Sequence, residues 1–156
     1  MKNKASIKLN LTDQERRRLR KNKIKISELT DFTPDELRTV LETDIGRAKE
    51  LFALADFQRI PSVGIEFAKD LIFLGYYAVE ELKYQNGAQL REEYELKKGY
   101  QIDSCVEDQF RLVVHFARTD DYSKNWWDFT TERKKYRLEH GYPENRPKTI
   151  WTEVLR

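Results

Sequence analysis

The fold of this chain is decided by one stretch, Phe57-Gln58-Arg59-Ile60-Pro61-Ser62-Val63-Gly64-Ile65-Glu66-Phe67-Ala68-Lys69-Asp70-Leu71. Ile60-Pro61 ends a helical pattern, because proline inside a helix removes a hydrogen bond and clashes with the preceding turn. The residues from Pro61 to Gly64 are typical of a tight turn. A second helix begins at Gly64 or Ile65 and stops at Gly75. The stretch therefore predicts two helices joined by a very short connection.

Further helices are predicted from capping signals on both sides of this stretch. Thr12 and Thr33 each stand three residues before a glutamate, which makes two capping boxes. Asp44 caps the helix that leads into the stretch, and Asp103 caps a long hydrophobic helix over residues 104–118. No segment shows a clear strand pattern. We therefore predict an all-α fold of six to eight helices in one compact unit.

The two ends of the chain carry separate predictions. Residues 1–11 show no strong period and are interpreted as a flexible arm, and a short basic helix is predicted over residues 15–23. The last long helix is predicted over residues 130–140. Ile150-Trp151 is interpreted as an anchor of the tail onto the body.

Composition and length favour a soluble protein. The chain has 156 residues, 36% charged and 39% hydrophobic, which fits one compact domain or two small ones. Its one cysteine, Cys105, allows no disulfide within the chain and no cysteine-based zinc site. No apolar run approaches the roughly 20 residues that a membrane span needs, and the lysine-rich N-terminus lacks the apolar region of a signal peptide. We therefore expect a cytoplasmic protein without membrane contact.

The net charge of +2 hides an uneven distribution along the chain. Residues 1–25, a basic arm and short helix, hold ten basic and two acidic residues. Residues 26–122, a helical core, hold eleven basic and twenty acidic residues. Residues 123–156, an aromatic and basic helix and tail, hold eight basic and five acidic residues. The positive charge thus lies at the two ends, and the central stretch lies in the acidic part.

The residues around Gly64 resemble the helix-hairpin-helix superfamily, whose pattern is an apolar residue, Pro, Gly, an apolar residue, Gly, three further residues and Ala. Here the pattern reads Ile60-Pro61-Ser62-Val63-Gly64-Ile65-Glu66-Phe67-Ala68, with Ser62 in place of the first Gly. The chain is also similar to the pathogenicity-locus (mitomycin-resistance-like) family of small bacterial proteins, over residues 25–150. The pieces that carry this second similarity are Ile60-Pro61-Ser62-Val63-Gly64, Ala68-Lys69-Asp70-Leu71, Leu74-Gly75, Val79-Glu80-Glu81-Leu82, Asp103-Ser104-Cys105-Val106 and Phe110-Arg111.

The resemblance implies a non-enzymatic protein that binds double-stranded DNA without sequence preference, as an accessory to DNA repair or a stress response. The phosphate-binding residues that it implies are the backbone of Ser62, Val63, Gly64 and Ile65 and the side chain of Lys69. It implies no cofactor beyond a monovalent cation, which the turn carbonyls of Ile60 or Val63 would hold. The residues themselves agree with an anion site, because the first N–H groups of a helix have no intrahelical partner and attract negative charge.

Further basic residues are candidates for phosphate contacts. Arg59 lies beside the turn, and Arg17 and Arg18 lie in the basic N-terminal helix. Lys134 and Lys135 belong to the cluster Arg133-Lys134-Lys135-Tyr136-Arg137. This cluster is interpreted as a solvated helix face or as a phosphate track, and we expect the basic ends to add affinity through counterion release.

A second hypothesis is a protein-interaction module that keeps the hairpin for its shape. Glu66 stands one turn into the second helix, where its carboxylate would repel a phosphate. Asp70 follows Lys69, and the surrounding segment is acidic. This hypothesis predicts a protein partner and no salt-dependent binding of DNA.

A third and less favoured hypothesis is a metal-dependent nuclease. Its Mg²⁺ ligands would be the carboxylates of Asp103, Glu107, Asp108 and Asp128. Asp103 and Glu107 share a helix face at i, i+4. Asp108 and Arg111, at i, i+3, are predicted to form an ion pair instead. We therefore expect no metal site and no catalytic residue.

The cysteine, the two histidines and the tryptophans are interpreted mainly as structural residues. Cys105 in the first turn of a helix is interpreted as a buried structural cysteine, because His115 lies ten residues on and is too far away to act as its base. Neither His115 nor His140 has a third ligand at metal-binding spacing. Trp126-Trp127 and the nearby aromatic rings are either nucleobase-stacking residues or, more commonly, core.

Overall fold

The computed structural model describes residues 6–155, and these residues form eight α-helices and three short 3₁₀ helices. Within this part of the chain, the only strand-like pairing is an isolated parallel bridge between Gln101 and Ile150. The predicted all-α fold is therefore confirmed. The chain divides into two compact units, residues 1–81 and residues 82–156, where the sequence predicts one.

The first unit contains four α-helices in its described part. They are α1 (Asp13–Lys21), α2 (Pro34–Leu41), α3 (Ile45–Phe57) and α4 (Ile65–Phe73). A 3₁₀ helix, Ile26–Asp31, lies between α1 and α2, and a second one, Val79–Leu82, follows α4. The predicted caps are confirmed, because Thr12 and Thr33 form capping boxes and the Asp44 side chain accepts the N–H of Arg47 at 2.8 Å. Helix α1 begins at Asp13 and ends at Lys21, two residues earlier at each end than predicted.

The core of the first unit is formed mainly by leucines. The members of this buried cluster are Leu19, Leu29, Leu37, Leu41, Ala48, Leu51 and Ala55. Ile7, Leu9 and Leu11 are half-buried and pack against it, while Lys8 and Asn10 between them are exposed. The predicted flexible arm is therefore wrong for residues 6–11, which form an ordered extended segment. Residues 1–5, also assigned to that arm, lie outside the described residues.

The second unit is built around α6. Its helices are α5 (Gly87–Lys98), α6 (Ser104–Thr119), α7 (Thr130–His140) and α8 (Trp151–Val154), with a 3₁₀ helix, Trp126–Phe129, before α7. The side chains of Phe110, Leu112, Val113 and Phe116 on α6 are fully buried. Asp103 caps α6 by accepting the Cys105 N–H at 2.8 Å, and the predicted bounds of α7 are confirmed.

Buried ion pairs replace part of the apolar core of this unit. Glu107 is fully buried, and its carboxylate accepts hydrogen bonds from Arg91 at 3.0 Å, from Arg137 at 2.8 Å and from Arg111 at 2.9 Å. Asp108 is also fully buried and accepts from Arg133 Nε at 2.8 Å. Buried charges are tolerated only when they are paired and hydrogen-bonded. The network therefore stabilises α5, α6 and α7 against one another.

The C-terminal tail is held by cation–π contacts and by a backbone hydrogen bond. The Tyr142 ring lies 3.6 Å from the Arg146 guanidinium and 4.4 Å from that of Arg137, which are cation–π distances. The Trp151 N–H donates to Gln101 O at 2.7 Å. At the predicted anchor Ile150-Trp151, the backbone pairs with Gln101, the Ile150 side chain is exposed and Trp151 is half-buried.

None of the helices in the described part of the chain is long and apolar enough to cross a membrane.

Candidate nucleic-acid interface

The connection between α3 and α4, residues 58–64, is a closed turn with one left-handed residue. The N–H of Val63 donates to Ile60 O at 3.1 Å, which closes a four-residue turn with Pro61 and Ser62 at its centre. Pro61 is buried and Ser62 is exposed. Ser62 has φ +62°, a conformation that glycine adopts without cost and other residues rarely adopt. The turn therefore accommodates the Cβ that the family pattern lacks at this position.

Helix α4 begins directly after this turn without a side-chain cap. Gly64 is its N-cap residue, with extended backbone (φ −97°, ψ −177°), and it is exposed. The first intrahelical bond runs from the Ala68 N–H to Gly64 O at 3.1 Å. Gly64 carries no side-chain acceptor and makes no side-chain cap, and it lies at the positive end of the helix dipole.

Asp56 holds the turn against the chain that follows α4. This buried carboxylate accepts the Arg59 Nε–H at 2.8 Å with one oxygen and the Val79 N–H at 2.7 Å with the other. Arg59 is half-buried and its guanidinium is engaged in this ion pair. Arg59, predicted as a phosphate contact, therefore serves to fix the turn.

Gln58 joins the turn to the N-terminal segment. Its buried side chain accepts the Lys8 N–H at 2.9 Å and donates to Lys8 O at 2.6 Å. This pair of hydrogen bonds holds the backbone of a basic residue beside residues 58–64. The Lys8 side chain itself is exposed.

The N-terminal segment runs antiparallel to α3. Lys8 is bonded to Gln58 at the C-terminal end of α3, whereas Asn10 O accepts from Arg47 Nη2 at 2.8 Å near its N-terminal end. Arg47 also makes a bidentate pair with Glu15 of α1, at 2.8 and 2.9 Å. The segment therefore passes along α3 toward residues 58–64 when it is followed from Leu11 to Lys8.

The predicted site residues of the hairpin are brought together, with two changes. Ser62, Gly64 and Ile65 lie side by side at the N-terminus of α4, as predicted. The Val63 N–H is already bonded within the turn, so the prediction that it is a free donor is wrong. The Ile60 carbonyl, one of the predicted cation ligands, accepts that N–H. Lys69 is exposed and its Nζ lies 3.4 Å from Glu66 Oε1.

The predicted basic residues outside residues 58–69 differ in whether their side chains are exposed or already bonded within the chain. Arg17 on α1 and Lys134 and Lys135 on α7 are exposed. Arg18 caps the C-terminal end of α2, because its Nη1 donates to Leu41 O at 2.6 Å and its Nε lies 3.0 Å from Glu42 Oε2. Arg18 is therefore a structural residue rather than a free cation.

The basic cluster of residues 133–137 is only partly a solvated face. Arg133 and Arg137 turn inward and pair with Asp108 and Glu107. The hydrogen bond from Arg133 holds the pKa of that guanidinium above its usual value. The predicted Asp108–Arg111 pair is wrong, since Arg111 bonds Glu107 one turn earlier on α6.

The four carboxylates of the nuclease hypothesis have separate partners. Glu107 and Asp108 are enclosed by arginines, and Asp108 also accepts from the Thr130 hydroxyl at 2.8 Å. Asp128 accepts the Asn125 N–H at 2.8 Å, and Asp103 caps α6. Among residues 6–155 no group of three or more His, Cys, Asp or Glu side chains is placed to hold a metal ion.

Cys105 and His115 are placed differently from each other. Cys105 is exposed, so its interpretation as a buried cysteine is wrong. Local burial and the neighbouring Asp103 raise the pKa of its thiol. His115 Nε2 lies 3.1 Å from Asp121 Oδ2. Hydrogen bonds from Ser123 lower the pKa of Asp121 to about 2.

The aromatic residues before α7 are partly exposed. Trp127 is 54% exposed, and its ring meets that of Trp126 edge-on at 5.5 Å between centroids. Tyr136 stacks on His140 at 4.3 Å. Neither the stacking interpretation nor the core interpretation describes both tryptophans, because only one of them is largely solvated.

The contribution of Lys8 and Gln58 is absent from the sequence interpretation. One signal does point to it, since Ile7, Leu9 and Leu11 alternate with polar residues, which is typical of an extended segment with one packed face. Gln58 has no such signal, because a glutamine at the end of a helix is ordinarily solvated.

Comparison with known proteins places the chain in a family. The family model described as the pathogenicity locus matches residues 50–135, which include α4, α5 and α6 and are more than half of the chain. No curated protein and no solved structure matches the sequence. The matched span begins within α3 and contains residues 58–64, Lys69 and the buried Glu107 and Asp108. The chain therefore belongs to the pathogenicity-locus family.

Proposed function

We propose that this protein binds double-stranded DNA through the phosphate backbone, without sequence preference, and that α3, residues 58–64 and α4 form a helix-hairpin-helix. The observation that carries the proposal is the N-terminus of α4, where exposed Gly64 leaves the first N–H groups without a side-chain cap. A phosphate oxygen is a natural acceptor for such groups.

The geometry of the turn supports a preorganised site. Asp56 bonds both Arg59 and Val79, and Gln58 bonds Lys8, so the start of the turn is held from two sides. Backbone donors that are held in place lose little entropy when an anion binds. The loop would therefore receive a phosphate without rearrangement.

Basic residues of the first unit favour contact with a polyanion. Lys8 is held beside Gln58. The exposed basic side chains of α1 in the same unit are Arg16, Arg17, Arg20 and Lys21. Each phosphate that such residues neutralise releases counterions, and this release supplies most of the affinity of nonspecific DNA binding.

Glu66 works against binding and favours the alternative of a protein partner. Its side chain is 84% exposed and lies in the first turn of α4. It also pairs with Lys69 at 3.4 Å, so a phosphate would have to compete for that lysine. A basic peptide on a protein partner would instead be attracted by Glu66.

A salt titration of DNA binding tests the proposal. Fluorescence anisotropy with a random-sequence duplex at low and moderate salt should show binding that weakens steeply as salt rises. Lys69→Glu should weaken binding to all sequences by about tenfold, because it replaces an attraction to phosphate with a repulsion. Lys49→Glu, which changes another exposed lysine, on α3, is the matched control for net charge.

One outcome would contradict DNA binding, and another would contradict the proposed binding site. Absence of binding at low salt would reject it outright. Equal losses in the Lys69→Glu and Lys49→Glu variants would show a general charge effect and reject the hairpin as the site. In the first case a protein bound to the exposed Glu66 becomes the better explanation, and in the second case DNA binds elsewhere on the chain.

A further inference from the structure

A polar cavity in the second unit is separate from the proposed DNA site. It has a volume of about 210 Å³ and lies between the start of α5, the second half of α6 and the start of α7. Among its lining residues are Gly87, Arg111, His115, Arg118, Phe129 and Glu132. Arg111, His115 and Arg118 follow one another at spacings of four and three residues, so they lie along one face of α6.

Arg118 brings a cation to this cavity that has no acidic partner within the described residues. Its Nε donates to Lys83 O at 2.8 Å and its Nη2 donates to Gln85 O at 2.9 Å. Both acceptors are neutral carbonyls, so they orient the guanidinium without cancelling its charge. The remaining N–H groups of a guanidinium held in this way are available to an anion.

Arg111 adds a guanidinium whose hydrogen bonding is incomplete. Its Nε donates to Glu107 at 2.9 Å. Its buried Nη2 lies 2.9 Å from the same carboxylate oxygen but has no hydrogen-bond partner in the described chain. Glu107 is shared with Arg91 and Arg137, which also pair with Glu95 and Glu92. The Arg111 guanidinium therefore keeps an N–H donor without an acceptor in the described chain.

Glu132 is the one acidic residue that lines the cavity, and it lies at the edge. Its carboxylate is 3.5 Å from Arg111 Nη1 and its side chain is 62% exposed. His115 is paired with Asp121. The cavity thus has two guanidinium groups against one peripheral carboxylate, and Asn86 and Gly87 at the start of α5 add a helix N-terminus to its wall.

We infer that this cavity binds a phosphate monoester group. Arginine pairs bind phosphate through several charge-assisted hydrogen bonds at once. A recess of this size admits a terminal phosphate, whereas an internal phosphodiester carries a sugar on both sides and suits an open surface. The group would come either from a phosphorylated DNA end or from a free phosphate compound.

Isothermal titration calorimetry with inorganic phosphate tests the cavity on the full chain. Wild-type protein should bind phosphate at one site, and Arg118→Met should weaken binding about tenfold. Glu132→Gln should strengthen binding about threefold, because it removes the only lining carboxylate. Glu139→Gln changes an exposed carboxylate elsewhere on α7 and should leave binding unchanged.

Because Arg118→Met also removes two hydrogen bonds to the chain, the surface variant Glu132→Gln decides the result. Equal phosphate affinity in wild type, Glu132→Gln and Glu139→Gln would overturn the inference, as would no phosphate binding. Duplexes with and without a 5′-phosphate then identify the source. Tighter binding of the phosphorylated duplex, lost in Arg118→Met, assigns the site to DNA ends. Equal binding of both duplexes, with the variant pattern for inorganic phosphate retained, assigns it to a free phosphate compound.

The inference stands independently of the proposed DNA site. The α4 N-terminus and Lys69 lie in the first unit, and every residue that lines the cavity lies in the second. Lys69→Glu should therefore leave phosphate binding intact, and failure of one proposal does not imply failure of the other.

Discussion

Gly64 provides no side-chain acceptor for the first N–H groups of α4, whereas other N-cap residues do. An ideal Cβ built at this position has no atom within 4 Å, and the backbone lies in an ordinary extended region. Gly64→Asp should place a carboxylate over the first turn of α4, where it accepts N–H groups and complements the helix dipole. We expect the free energy of unfolding to rise by about 0.5 kcal/mol while DNA binding is lost.

The opposite signs of these two effects make the Gly64 prediction specific. Thermal unfolding by circular dichroism and DNA anisotropy are measured on the same samples. Gly64→Ala is the control, because its methyl group cannot accept a hydrogen bond. Binding that survives in Gly64→Asp would separate the α4 N-terminus from any DNA contact.

The turn at Ser62 shows what the sequence predicts about a single residue and what it does not. Its place in the pattern of residues 60–68 identifies the turn correctly, and φ +62° confirms the strain that the missing glycine implies. The engagement of the Val63 N–H with Ile60 was not predicted. A sequence pattern specifies which residues form a turn. It does not specify which N–H groups form hydrogen bonds within that turn.

At the scale of elements, the extended segment over residues 6–11 depends on Gln58. Gln58→Leu would leave the N–H and C=O of Lys8 without their partner, which costs about 1–2 kcal/mol. We expect a lower melting temperature and faster hydrogen exchange at the Leu9 and Leu11 amides. Gln89→Leu, at an exposed position on α5, should change neither quantity. Unchanged exchange in Gln58→Leu would show that apolar contacts alone hold the segment.

Helix positions were predicted well because their signals are local. Thr12, Thr33, Asp44 and Asp103 cap the helices that they were predicted to cap. Each signal depends on residues within one turn of the helix end. The all-α fold and the two helices around residues 58–64 follow from such signals.

Long-range pairing was predicted poorly for a physical reason. The sequence places Arg133 and Arg137 on a solvated face or a phosphate track, because charged residues are rarely buried unless they are paired. Their partners, Glu107 and Asp108, lie about 25 to 30 residues away on α6. Charge pattern along one helix cannot identify a partner on another, so the buried network was missed.

For the molecule as a whole, stability should fall in acid. The hydrogen bond from Arg47 lowers the pKa of Glu15 below 4.5. Burial raises the pKa of Glu95, but Arg146, the Ile102 N–H and Arg91 outweigh it and the pKa is again below 4.5. Groups with lowered pKa stabilise the folded state above the unfolded pKa and lose that contribution as pH falls through the folded value.

Chemical denaturation at pH 7, 5, 4 and 3 measures this dependence. The midpoint should stay nearly constant down to about pH 4.5 and then decrease. Glu15→Gln should be less stable at pH 7 and should show a smaller further loss in acid, whereas Glu139→Gln should follow the wild type. An acid loss that is as large in Glu15→Gln as in the wild type would assign it to other carboxylates.

Gly87 and Gly64 differ in what a substitution screen would tolerate. A Cβ at Gly87 would lie 2.7 Å from Arg111 Cγ and 2.8 Å from its backbone, whereas a Cβ at Gly64 meets nothing. Saturation of position 87 should therefore yield folded protein with glycine alone. Position 64 should accept many residues when the selection is for folding and few when it is for binding. At position 64, comparing the residues that survive selection for folding with those that survive selection for binding would separate the two requirements. This comparison needs no knowledge of the ligand.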